Sequence, residues 1–311
     1  MILGKRGEGL ISDIRYPMSD KRGELTTQQI VLLIILIASF AVLVYFLVSL
    51  GLGNQTKQDV CHNSVVARST AVTSEAVPLD CQRSYVCITK DGTCESMTKP
   101  IIKKVSNQEE VYSVLSDEMA NCWWVYGEGK INYVGKDYFE NLYCSICSQI
   151  AFDDSAYSLF EGGKIDKKEL YYYMSLTNIS NDDKTYLEYL YKTNDVEKIL
   201  LTTGADVQVG TLDMTKQYYV LTAITSEVSN IGWIATGAAA VGAATLYFVS
   251  GPVGWVAGAV IIGATAGGIG GNYVASFVKG DSGNDFISPT LIEVNSKEFD
   301  SLQCDEISSA S

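Results

Sequence analysis

The sequence predicts an α+β, disulfide-stapled extracytoplasmic domain, held by an N-terminal transmembrane helix and followed by a Gly/Ala-rich helical hairpin near the C-terminus. Three observations predict it. An uncharged apolar run extends from Ile30 to Leu52, all eight cysteines lie after that run, and a second stretch from Ile231 to Val278 carries no charged residue. These features divide the 311 residues into a cytoplasmic leader (1–28), a membrane helix (29–52), an α+β domain (53–229), a hydrophobic hairpin (230–278) and a tail joined to the domain (279–311).

The first run is 23 residues long and is interrupted only by Ser39, Tyr45, Ser49 and Gly51. As a helix it spans about 34 Å, enough to cross a hydrocarbon layer of about 30 Å. A cleavable secretory signal has an apolar core of only about 7–15 residues, so the run reads as a permanent anchor. Lys5, Arg6, Arg15, Lys21 and Arg22 precede it, whereas only Lys57 follows before Arg68. Basic residues stay on the cytoplasmic side, which places the N-terminus inside and the main domain outside the cell membrane.

Lys21-Arg22-Gly23, followed by Glu24-Leu25-Thr26-Thr27-Gln28-Gln29 and the apolar run, resembles the class III signal of archaeal type IV pilin-like surface proteins. That resemblance implies peptidase processing between Gly23 and Glu24, with the helix retained. Glu24 stands where such sites often carry Gln, and Gln28 where many pilins carry Glu.

The cysteines are Cys61, Cys81, Cys87, Cys94, Cys122, Cys144, Cys147 and Cys304. An even number confined to one side of an anchor fits an oxidising exterior, where disulfides persist. Residues 54–100, rich in Val, Thr and Ser, are expected to be extended. Around Asp91-Gly92, strand-forming residues predict a hairpin that brings Cys87 opposite Cys94. The intervals among the first four cysteines are not the paired short spacings of a zinc ribbon.

Ser106-Asn107-Gln108-Glu109 has the form of a capping box. The helix it opens would carry Val111, Leu115, Met119 and Cys122 on one core-facing side. It runs into Cys122-Trp123-Trp124, then Gly127-Glu128-Gly129-Lys130, and later into the alternating strand Tyr143–Phe152 with its Cys144-Ser145-Ile146-Cys147. This block, with the anchor, the Cys61-His62-Asn63-Ser64-Val65 stretch and the late Cys304, resembles a group of membrane-anchored surface proteins of small-genome archaea. The resemblance implies family membership and brings no activity with it.

Lys167–Leu201 reads as acidic, Tyr-rich helix, with Tyr171, Tyr172, Tyr173, Tyr186, Tyr189 and Tyr191 walling a core and reaching solvent through their hydroxyls. Gln217–Ile224 reads as a strand. Asn54 and Asn178 head glycosylation sequons, which matter if the domain is outside. In the second uncharged stretch Gly251-Pro252 separates two halves, each long enough to span a bilayer. Gly232, Gly237 and Gly242 in the first half, and Gly258, Gly263 and Gly267 in the second, would let two helix backbones approach closely.

A net charge of −13 excludes the basic surface that nucleic acid requires. His62 is the only histidine, which limits histidine metal sites and triads, and it reads as a satisfied polar residue. Asp153-Asp154 and Asp182-Asp183 are adjacent and diverge in either regular structure, so they read as solvated surface. Gly127–Lys130 lacks the length and trailing hydroxyl of a phosphate loop and reads as a turn. The expected function is therefore a membrane-anchored structural or interaction protein of the cell surface. It has no catalytic, cofactor or metal residues to name, and its partners are membrane lipid, other surface proteins or its own copies. One alternative is a pilin-like filament subunit cut after Gly23. Another is an extracytoplasmic thiol-disulfide oxidoreductase using Cys144 and Cys147.

Overall fold

The computed structural model describes residues 27–49, 57–71, 77–135, 142–180, 183–201, 210–226, 243–250, 256–264, 273–302 and 304–306. The expected processing site Gly23–Glu24 and the sequon at Asn54 lie outside these residues. The chain divides into two units, 1–54 and 55–311.

In the first unit a single helix, α1 (Thr27–Ser49), takes up most of the apolar run. Its described side chains are exposed from Gln28 through Val42 and at Val44 and Tyr45. Among the described residues no helix is long and apolar enough to cross a membrane.

The second unit is an α+β domain built on a mixed sheet. Its strands are β1 (Ser84–Thr89), β2 (Ile101–Lys104), β3 (Tyr143–Phe152), β6 (Tyr218–Thr225), β7 (Ala243–Ser250), β8 (Val256–Ala264), β9 (Tyr273–Lys279), β10 (Asp285–Glu293) and β11 (Asp305–Glu306). They lie in the order β2-β1-β3-β6-β10-β9-β8-β7, with β11 also on β3. β1 is parallel to both β2 and β3, and every pair from β3 through to β7 is antiparallel. A separate two-stranded sheet joins β4 (Lys164–Asp166) to β5 (Thr211–Asp213).

Helices α2 (Lys57–Thr70), α3 (Gln108–Val125), α4 (Lys167–Leu176), α5 (Tyr186–Tyr191) and α6 (Val196–Leu201) belong to one face of the large sheet, and α7 (Lys297–Ser301) to the other. Strand alternation feeds both faces. On β6, Tyr218, Val220 and Ile224 join the core under α3, while Leu221 and Ala223 join a smaller cluster with Leu142, Cys144, Ile287, Ile292 and Leu302.

Several expectations are corrected. Residues 57–70, expected to be extended, form α2, with Cys61, Val65 and Arg68 buried on one side of a helix. Their spacing of three to four is a helical stripe, which outweighs the Val and Thr content. The capping box lies one residue later than expected. Asn107 Oδ1 accepts from the Glu110 N–H at 2.9 Å, and Glu110 Oε2 accepts from the Ser106 N–H at 2.7 Å. The apolar face of α3 is as read, with Val111, Leu115, Met119 and Cys122 all buried.

No hairpin follows β1. The chain returns to lay β2 parallel to it, because Asp91 ties its turn to Thr93 and Thr89 rather than to a facing strand. The described parts of 231–278 are strands, not helices. Runs such as Thr245-Leu246-Tyr247-Phe248-Val249 and Val260-Ile261-Ile262 are rich in β-branched and aromatic residues, and a wholly apolar stretch has no period to separate helix from strand. The segment expected as a tail supplies β10, which lies between β6 and β9. Pro289 is accepted in that interior strand because it sits at a register shift between Ile287 and Thr290. There Ser288 Oγ donates to the Leu190 carbonyl at 2.9 Å and Tyr191 Oη to that of Pro289 at 3.2 Å, docking α5 on the sheet.

Candidate binding cavity

The eight cysteines form four disulfides: Cys61–Cys81, Cys87–Cys94, Cys122–Cys147 and Cys144–Cys304. The Cys87–Cys94 bond is the one expected, although a crossover rather than a hairpin brings the two together. Cys144 and Cys147 do not form a dithiol pair. Three residues apart on a strand, they fall on opposite faces: Cys147 faces α3 and bonds Cys122, while Cys144 faces the other side and bonds Cys304. The strand context, with no βαβ unit around it, is the sequence signal for that outcome.

A register shift in β3 between Ile146 and Ser148 marks the candidate site. The β1 ladder on β3 begins at Ser148, and the β11 ladder ends at Cys144. Both strands run parallel to β3 on the edge away from β6, and among the described residues no strand pairs with Ser145–Cys147 on that edge. A cavity of about 310 Å³ opens there. The first turn of α2 (Lys57, Gln58, Cys61) forms one wall, α3 (Glu118, Cys122, Val125, Tyr126) the floor, and Ile101 and Gln82 the rim. The Cys61–Cys81 and Cys122–Cys147 disulfides both line it. Most of this surface is apolar, and the volume is at the lower end of small-molecule pockets.

Glu118 is the ionisable group in the floor. It is only 6% exposed. Burial pushes its carboxyl above the usual glutamate range, and Asp117 adds to that, while the Ser148 hydroxyl and the Lys103 ammonium oppose it. Ser148 Oγ is itself buried and has no hydrogen bond of normal geometry. Glu118 thus lines the cavity with the Ser148 hydroxyl next to its carboxyl. Tyr126 beside them is pushed up to about 12 by burial, so it stays a neutral phenol.

The α2–α3 wall is held by specific contacts. His62 stacks on Trp124 with centroids 4.2 Å apart, and its Nδ1 lies 2.8 Å from the Trp124 carbonyl. A carbonyl only accepts, so Nδ1 carries the proton. Histidine is therefore a satisfied structural residue, as the sequence suggested. Further along the same helix, buried Arg68 donates through Nε to the Tyr133 carbonyl at 2.9 Å and through Nη1 to that of Val77 at 3.2 Å.

Two other hollows are polar. One of about 280 Å³ surrounds the Gly127–Lys130 turn. There Glu128 pairs with Lys130 and accepts from Tyr189 Oη at 2.7 Å, and Lys192 Nζ lies 3.8 Å from Asp281 Oδ1. Of the tyrosines of 167–201, Tyr171, Tyr186 and Tyr191 wall the core as read, but the hydroxyls expected to reach solvent meet protein acceptors instead. Tyr172 donates to Glu197 and Tyr186 to Asp117. A wider hollow of about 720 Å³ has an acidic rim of Asp91, Glu95, Asp153 and Asp154. Asp91 is held down at about 2 by the Thr93 N–H and hydroxyl and by Thr89. Among the described residues no group of three or more His, Cys, Asp or Glu is placed to hold a metal ion. Asn178 is exposed at a bridge to Thr185.

Compared with known proteins, the chain matches no family model, no curated protein and no solved structure.

Proposed function

We propose that the protein is a membrane-anchored binding protein of the cell surface. In this reading α1 is the anchor, and the disulfide-stapled domain outside meets a ligand through the cavity beside Glu118. The observation that carries it is α1. Every described large apolar side chain on it is exposed, from 39% at Val44 to 69% at Tyr45, around the whole circumference. In water such a surface would associate, whereas in lipid it needs nothing else. The four disulfides support an oxidising compartment for the domain that follows.

The test is topology. Sealed right-side-out membranes containing the protein are treated with an impermeant protease, and protected fragments are read by mass spectrometry. A protected fragment covering 25–52, with the domain degraded, is the expected result. Protection of the whole chain, or its release by alkaline carbonate, overturns the reading. The same exposed helix also suits packing against copies of itself, which makes a pilin-like filament the second reading. A mature N-terminus at Glu24 together with filaments in electron micrographs would select it.

A further inference from the structure

We infer that the cavity between α2, α3 and β3 binds an aliphatic primary ammonium, its charge on Glu118 and its hydrocarbon stem against the two disulfides. This rests on the binding role proposed above and names the ligand chemistry. A buried carboxyl, Glu118, lines a cavity whose surface is otherwise mostly apolar. An ammonium is a compact hydrogen-bond donor that carries the charge an ionised carboxylate there would pair with. A carboxylate or phosphate ligand would instead meet Glu118 as a like charge.

The walls set the rest of the molecule. Cys61, Cys81, Cys122, Cys147, Val125 and Ile101 offer apolar surface along the way to the floor, so the stem is a hydrocarbon of several carbons. Among the described residues the cation lining the cavity is Lys57, exposed at its rim, while Lys103 acts on Glu118 from nearby. A net charge of −13 favours approach of a cation over an anion. The chemistry can come from a free alkylamine or from the lysine side chain of a partner peptide, which is itself a butylammonium.

Titration calorimetry on the full chain in detergent, with disulfides verified by mass spectrometry, tests this with four probes: hexylammonium, hexanol, hexanoate and a doubly capped lysine. Hexylammonium is expected to bind saturably at about pH 8, at least tenfold more tightly than hexanol, and hexanoate not at all. Its affinity should fall as the pH is lowered and Glu118 takes up a proton. Glu118→Gln should remove the tenfold preference while leaving hexanol unchanged. Ile101→Trp, on an exposed edge strand where folding is not at stake, should block both by filling the mouth. Tighter binding of the capped lysine would identify a protein partner, and tighter binding of hexylammonium a free amine.

Equal affinity for hexanol and hexylammonium, or an unchanged preference in Glu118→Gln, overturns the inference. So does the absence of binding by every probe. That last outcome leaves the anchored topology to the protease experiment, so the two readings fail separately.

Discussion

Cys144 and Cys147, three residues apart on one strand, are bonded to opposite sides of the sheet: Cys147 to Cys122 on α3, and Cys144 to Cys304 near the end of the chain. The first bond fixes β3 to the helix that carries Glu118. The second closes a loop with a sequence separation of 160 residues, against 7 for Cys87–Cys94. In the chain-entropy picture, closing the longer loop is worth about 5 kcal/mol and the shorter about 2.5 kcal/mol. Paired Cys→Ala replacement at 144 and 304 should therefore lower the urea midpoint roughly twice as far as replacement at 87 and 94. Equal losses would show that the unfolded chain does not behave as that picture requires.

Asn107 should behave as a true N-cap. Replacing it with Ala removes the acceptor for the Glu110 N–H and is expected to cost about 1 kcal/mol in equilibrium unfolding. Ser106→Ala should cost far less, since Ser106 contributes its backbone N–H to Glu110 and no side-chain cap. The reverse order would restore the position that the Ser-x-x-Glu pattern suggests.

How far the sequence could be read depended on whether a residue's role was local. The helix face of Val111, Leu115, Met119 and Cys122, the strand Tyr143–Phe152 and the Cys87–Cys94 bond were legible because short-range spacing decides each. The cavity was not. It depends on a register shift beside Cys147 and on two strands far apart in sequence, β1 and β11, joining the same edge of β3. Glu118 gave one weak signal, being an acid one residue from the predicted apolar face of α3. The strands of 243–279 were misread because a run without polar residues carries no period, and charge absence suits a buried strand as well as a membrane helix.

Gly280 marks where the turn after α3 meets the β9–β10 connection. A Cβ there would lie 2.3 Å from the Gly129 carbonyl oxygen and 2.3 Å from Phe286, and the Asp281 N–H donates to that same carbonyl at 3.0 Å. Backbone cannot retreat as a side chain can. Gly280→Ala is therefore expected to cost about 2 kcal/mol or more through overpacking. Gly283, with φ of +86° and open space around it, should cost only about 1 kcal/mol on the same change, from backbone strain alone. Thermal unfolding of the two variants checks the order, and a milder effect at Gly280 would mean that the two turns move apart freely.

Glu118 should make stability depend on pH in a defined direction. Burial raises its carboxyl pKa in the folded protein, so the fold holds the proton more tightly than the unfolded chain does. The stability linked to that proton is complete below the ordinary glutamate pKa and is lost as the pH rises through the elevated folded value. Glu118→Gln removes the penalty, because an amide stays neutral. The variant should match the wild type near pH 4 and exceed it near pH 8, by an amount on the order of 1 kcal/mol. If an ammonium occupies the cavity, adding hexylammonium near pH 8 should stabilise the wild type and leave the variant unmoved. Urea titrations at both pH values read this directly. A variant weaker than the wild type near pH 8 would mean that the ionised carboxylate is satisfied within the protein, and the cavity would then have no need of a cation.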